Sequence, residues 1–105
     1  MERKLIGNKN YLSHNRKIIN VTEYRTKGED FLLIKDVPNC RIILDATTTN
    51  YIVIKSMTNV TIKSFIDKID EEYDEILMEK GSCVEFLNVD NSWYIISSDG
   101  LKLNN

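Results

Sequence analysis

CRIILDATTTNYIVIKSMTNVTIKSF, Cys40 to Phe65, contains three short apolar runs separated by turn-forming residues, Thr49-Asn50 and Thr58-Asn59. In its last run Val60, Ile62 and Ser64 fall on one side of an extended chain and Thr61, Lys63 and Phe65 on the other, the period-2 signature of a strand with one wet face. YIVIK, residues 51 to 55, is apolar on both sides. Such a strand is central to its sheet or has its second face against another subunit.

The same rhythm extends in both directions. KIINVTEY (17 to 24) and FLLIKDV (31 to 37) precede the stretch, and EILMEK (75 to 80), SCVEFLNV (82 to 89) and WYIISS (93 to 98) follow it. Lys27-Gly28-Glu29-Asp30, Pro38-Asn39, Gly81-Ser82, Asp90-Asn91-Ser92 and Asp99-Gly100 supply the breaks. Starts spaced by about 8 to 12 residues predict an all-β domain, a β-sandwich of jelly-roll-like type with seven or eight short strands over residues 17 to 105. Residues 1 to 16, MERKLIGNKNYLSHNR, carry little periodicity and read as an N-terminal arm. RIILDA, YIVIKS and VTIKSF are evenly spaced, but no internal repeat is strong enough to predict a solenoid.

Residues 65 to 80 admit two readings. Phe65, Ile66, Ile69, Tyr73, Ile76 and Leu77 come close to helical spacing. Ser64 is a weak cap inside a strand-like run, and EILMEKGSCVEFL reads as two strands around Gly81, so an acidic loop leading to a strand is the expectation. CVEFLNV and WYIISS form a hairpin through Asp90-Asn91-Ser92, and Asp99-Gly100 is expected to end the last strand.

Composition narrows the function classes. With 42% hydrophobic and 29% charged residues in 105, the chain has enough apolar side chains for one core. A net charge of -2 offers no basic field for a nucleic-acid backbone. No apolar run approaches the 18 or more residues of a membrane span, and the N-terminus lacks the apolar centre of a signal peptide, so neither membrane nor secretion is expected. Cys40 and Cys83 have no CxxC spacing and, with His14, make too few zinc ligands. Two reduced thiols or a disulfide between facing strands are both open.

No catalytic, cofactor-binding or metal-binding residue is expected. Asp67, Asp70, Glu71, Glu72, Asp74 and Glu75 are dense, but an EF-hand-type loop needs a Gly at its sixth position, and none occurs before Gly81. His14 has no nucleophile or acid at a suggestive spacing, and the four glycines are isolated, so no phosphate loop exists. The chain is not expected to be an enzyme. Trp93, Tyr94, Tyr51 and Tyr73 are candidates for a carbohydrate platform, against which stands the value of Trp93 as a buried plug.

NVTIKSF, an acidic spacer, and then KGSCVEFLNVDNSWYIISSDGLK together resemble the C-terminal β domain of virion proteins of tailed bacteriophages and large DNA viruses. The likeness rests on Asn59, Thr61 and Ile62, on Gly81, Ser82, Val84 and Phe86, and on Trp93, Tyr94, Ile96 and Ser97 to Gly100. EDFLLIKDVPNCRIILDATTTNYIVIKS is similar to the strands ahead of that ending, so the resemblance covers about residues 20 to 102. It implies an auxiliary capsid (decoration) protein that binds a major capsid or other virion protein, as a homo-oligomer with a trimer favoured, assembled in the host cytoplasm. The alternative is a head- or tail-fibre tip module binding a host receptor or carbohydrate; the lack of a repetitive shaft ahead of the domain speaks against it.

Overall fold

Two left-handed residues, Asp90 and Asn91 with φ of 53° and 69°, close the hairpin that organises this molecule. Positive φ at both central positions gives the turn a twist that matches two right-twisted strands, and Asn and Asp tolerate it best after Gly. The computed structural model describes residues 15–104. Among these it has eight strands and no helix: β1 (Arg16–Ile19), β2 (Glu23–Arg25), β3 (Phe31–Ile34), β4 (Asn39–Leu44), β5 (Tyr51–Ser56), β6 (Asn59–Ser64), β7 (Glu75–Val89) and β8 (Ser92–Asn104). Of the expected arm, residues 1–14 lie outside the described residues, His14 with them, while Arg16 opens β1.

The all-β expectation holds, and the wiring is distinctive. β1, β3 and β5 pair in parallel, and so do β2, β4 and β6. Each odd strand passes through two to four residues into the even strand of the other ladder, so the chain winds through three two-strand coils, a short solenoid. β7 then lies antiparallel across both stacks, Tyr51 to Lys55 pairing with Leu87 to Cys83 and Val60 to Ile62 with Met78 to Ile76, and β8 follows β7 back. The result is a front ladder, β1-β3-β5 continued by the later part of β7 and the first part of β8, and a back ladder, β2-β4-β6 continued by the other halves. The coils were not predicted from sequence. Turns of two to four residues ordinarily join neighbours in one ladder, and here they join strands in different ones.

Asp99-Gly100 does not end the last strand, and EILMEKGSCVEFL is one strand rather than two. β7 and β8 both turn the corner between the ladders, where the register shifts between Met78 and Cys83. Gly81 and Gly100 sit at this corner with φ of 88° and 90°. A Cβ on Gly100 would come within 2.9 Å of the Ser82 Cβ, so only glycine lets the two strands bend in contact.

Inward alternation builds one core shared by both ladders. Leu32, Ile34, Ile52, Ile54 and Phe86 from the front meet Ile42, Leu44, Ile62, Ile76 and Met78 from the back, all buried. Residues 65 to 74 form an irregular loop, as expected, with β7 beginning at Glu75. The loop is also a lid: Ile69 is fully buried and pairs with Trp93. Asp70 donates its N–H to the Trp93 carbonyl at 2.9 Å, and its carboxylate accepts from the Ile95 N–H at 2.8 Å. These bonds cover part of the outer edge of β8, which would otherwise offer unpaired backbone groups to another strand. At the opposite edge β1 and β2 are short. Lys17 lies over the Tyr24 ring at 5.9 Å, a charge on an edge strand that discourages further pairing.

Buried polar groups fasten the coils where they turn. The Asp45 carboxylate accepts from the Thr47 N–H at 2.9 Å, the Thr47 hydroxyl at 2.6 Å and Arg25 Nε at 2.8 Å. Thr26 Oγ1 accepts from the Asp45 N–H at 2.9 Å, and the Thr48 hydroxyl donates to the Thr26 carbonyl at 2.8 Å. The Gly28 N–H donates to Thr49 Oγ1, and the Tyr24 hydroxyl to Glu29. Successive coils are thereby tied turn to turn, as buried polar groups require.

Candidate interaction face

Register assigns the outward side chains of the front ladder to rows running across its strands. One row is Arg16, Phe31, Val53, Glu85 and Ser97; the next is Ile18, Leu33, Lys55, Cys83 and Asp99. Beside them Tyr51 pairs with Leu87, and Leu87 with Tyr94. Ile18 is 57% exposed, Val89 48% and Ile96 53%. Val53 points outward on the central strand yet is only 8% exposed, because Phe31 and Glu85 flank it. A shallow groove of about 360 Å³ between β1 and β3 is lined by Arg16, Lys17, Ile18, Phe31 and Leu33. This face sets Phe31, Leu33, Val53 and Leu87 around Lys55 and Glu85, and no part of the described chain packs over Ile18, Val89 or Ile96.

Its polar groups are held in place. The Glu85 carboxylate accepts from the Tyr51 hydroxyl at 2.5 Å and the Ser97 hydroxyl at 2.7 Å. Lys55 Nζ donates to the Gly81 carbonyl at 2.8 Å, drawing the ammonium toward the corner. The Cys83 thiol is pushed up by burial, an effect that Lys55 partly offsets. Tyr94 donates to the Glu71 carboxylate at 2.7 Å, and that bond above all raises its phenol.

The outward side of the back ladder is of the other kind. Glu23, Arg25, Arg41, Lys63, Glu75 and Lys102 stand along it, with Ile43, Thr61 and Leu77 between. Arg25 stacks over Phe65 at 3.6 Å and bonds Asp45, while Arg41 lies 3.8 Å from Glu75. A second hollow, of about 280 Å³, opens beside Asn39, Asn59 and Thr61, and the Lys102–Glu79 ion pair of 2.8 Å lies on its rim.

The four candidate aromatics separate. Trp93 is completely buried and meets Phe86 edge to face, centroids 6.4 Å apart, so it is a plug and not a platform. Tyr73 packs against the core, and burial raises its phenol. Tyr51 and Tyr94 stay half-buried on the front face. The acidic cluster disperses into structural partners: Asp70 with β8, Glu71 with Tyr94, Asp74 with Lys68 at 2.6 Å and Glu75 with Arg41. Among the described residues no group of three or more ligating side chains is placed to hold a metal ion.

Cys40 and Cys83 are both free, the first buried in the back ladder and the second half-buried in the front. Burial and the nearby Glu23 push the Cys40 thiol up to about 11, which disfavours the reactive thiolate.

YIVIK reads as apolar on both sides, and β5 is indeed central in the front ladder, but its two faces do not by themselves mark Ile18, Leu33 or Leu87. Their signal is a doublet or triplet, Ile18-Ile19, Leu32-Leu33-Ile34 and Phe86-Leu87, which places apolar side chains on both faces at once. Comparison with protein-family models and with curated proteins finds no match to this chain.

Proposed function

We propose that this chain is a structural protein of a virion, an auxiliary capsid protein that binds the shell surface and stabilises it. The observation that carries this reading is the set of outward apolar residues on the front ladder, Ile18, Leu87, Val89 and Ile96, that no described residue covers. Exposed apolar surface gathered on one sheet face is the mark of a protein that works by packing against other subunits. Many modest contacts repeated over a shell stabilise it by mass action, without any catalytic group. Shell contact is assigned to residues 1 to 16 and the adjoining rim of turns.

The fibre-tip reading keeps only the half-buried Tyr51 and Tyr94, and it loses Trp93, its largest stacking residue. Co-sedimentation of purified protein with capsids from the same source tests the proposal. Saturable binding that raises the shell's melting temperature is expected. Absence of binding together with retention on a glycan array would replace it with the fibre-tip reading.

A further inference from the structure

We infer that the lid, residues 66 to 74, lifts from β8 as one unit while the rest of the molecule stays folded. Lifting frees the Trp93 carbonyl and the Ile95 N–H on the outer edge of β8, so the lid gates that edge against strand pairing. The inference goes beyond the proposed function and stands whether or not the chain binds a shell.

The lid is braced within itself. Ile69 and Tyr73 exchange backbone bonds of 2.9 Å, and the Ile69 carbonyl also accepts from the Glu72 N–H at 3.1 Å. Lys68 Nζ lies 2.6 Å from the Asp74 carboxylate. These partners travel together, so lifting breaks none of their bonds. Both ends of the lid are fixed points. Phe65 donates its N–H to the Leu44 carbonyl at 2.9 Å and carries Arg25 on its ring, and Glu75 begins β7.

Its attachment to β8 rests on two neighbouring residues and one apolar anchor. Asp70 donates to the Trp93 carbonyl and accepts from the Ile95 N–H, Glu71 accepts from the Tyr94 hydroxyl, and Ile69 is buried against the core. Asp70 and Glu71 both sit in left-handed backbone, with φ of 55° and 62°. That conformation costs any residue with a Cβ, and Glu more than Asp, so the closed lid holds strain that lifting releases.

Two buried donors add to the cost of closure. Trp93 Nε1 and Asn88 Nδ2 have no hydrogen-bond partner among the described residues. They belong to cross-strand partners, at the place where Ile69 bridges to β8. A buried donor left unpaired has given up its water, and a lifted lid returns water to this end of the hairpin. A braced segment with few attachments, strained backbone and unpaired donors beside it opens at lower cost than the whole fold.

Hydrogen exchange of the full chain, followed by NMR at low urea concentrations, tests the inference. The Asp70 and Ile95 amides and the Trp93 indole N–H should share one opening constant. It should exceed that of amides in β5 and β6 at least about tenfold and be nearly independent of urea, because a lifting loop exposes little surface. Asp70→Gly keeps the left-handed backbone but removes the Ile95 bond, and should raise the constant read at the indole about tenfold. Tyr94→Phe should raise it about threefold, and adding Glu71→Gly, which relieves strain once that bond is gone, should lower it again about threefold. Val60→Ala lies at the far end of β6, beside the corner, and should speed exchange in β5 and β6 while leaving the shared constant unchanged. Three different opening constants, a urea dependence equal to that of β5 and β6, or a shared constant that follows Val60→Ala would each overturn the inference.

Discussion

The two ladders of this protein are alike inside and opposite outside. Inward, both present Ile, Leu and Val at every second position, because any strand over this core must. Outward, the back ladder is mostly arginine, lysine and glutamate with Ile43 and Leu77 among them, and the front ladder sets Ile18, Phe31, Leu33, Val53 and Leu87 among Arg16, Lys55, Glu85 and Asp99. Folding alone explains the inner faces and the charged outer one. It does not explain the exposure of Ile18, Leu87, Val89 and Ile96 among the described residues, and this is why the front ladder is taken as the working surface.

The most severe way to break the comparison is to remove what both ladders rest on. Trp93→Ala empties a fully buried site between the lid loop and Phe86, and should cost about 3 to 5 kcal/mol by urea denaturation. Both faces would be lost together. Loss of surface binding with full stability retained would instead show that Trp93 serves a ligand.

Next comes the corner that makes two faces out of one hairpin. Gly100→Val forces a β-branched side chain into left-handed backbone and against Ser82, and a loss of about 2 to 3 kcal/mol is expected in the same assay. Gly81→Ala meets no atom within 4 Å, so only its backbone conformation resists and the cost should be smaller, about 1 kcal/mol. Equal costs at the two glycines would mean that the strands do not touch at the bend.

A pH titration examines the polar fastening of the coils. Hydrogen bonds from Thr47 and then the Arg25 guanidinium hold the Asp45 carboxyl below its ordinary value. A carboxylate depressed in the folded state adds stability above its unfolded pKa of about 3.9, and that stability fades as pH falls through the folded value. Asp45→Asn should therefore flatten the acid limb of the stability curve. An acid limb identical in the variant would assign it to other carboxylates.

The smallest effect belongs to the charged face. Arg41→Ala removes a half-exposed partner 3.8 Å from Glu75, and stability should move by less than about 0.5 kcal/mol. A large loss there would show that the back face also is an interface.

Much of this was legible in the residues. VTIKSF alternates as written, with Val60, Ile62 and Ser64 inside and Lys63 and Phe65 exposed. The Asp90-Asn91 turn sets Trp93 opposite Asn88, from where its ring reaches Phe86. The coils left a trace that went unused: IKDVPNCRI at 34 to 42 and IKSMTNVTI at 54 to 62 share Ile, Lys, Asn and Ile at an offset of 20. β4 and β6 pair at that offset, Asn39 with Asn59, while β3 and β5 pair at 22, because the connection at Lys35 to Pro38 is two residues longer than Met57-Thr58. The drift blurs the repeat.

The sequence by itself determined where most strands begin, that residues 60 to 65 have one wet side, and that a hairpin turns at Asp90-Asn91, since period-2 alternation and turn chemistry are local properties. Only the tertiary structure decided which strands pair, that β7 and β8 bend at Gly81 and Gly100 to cap both stacks, and which outward apolar residues share the front ladder. Backbone hydrogen bonds join strands 15 to 22 residues apart through groups that every residue carries alike, so partner choice is settled by how the whole core closes and not by any one stretch.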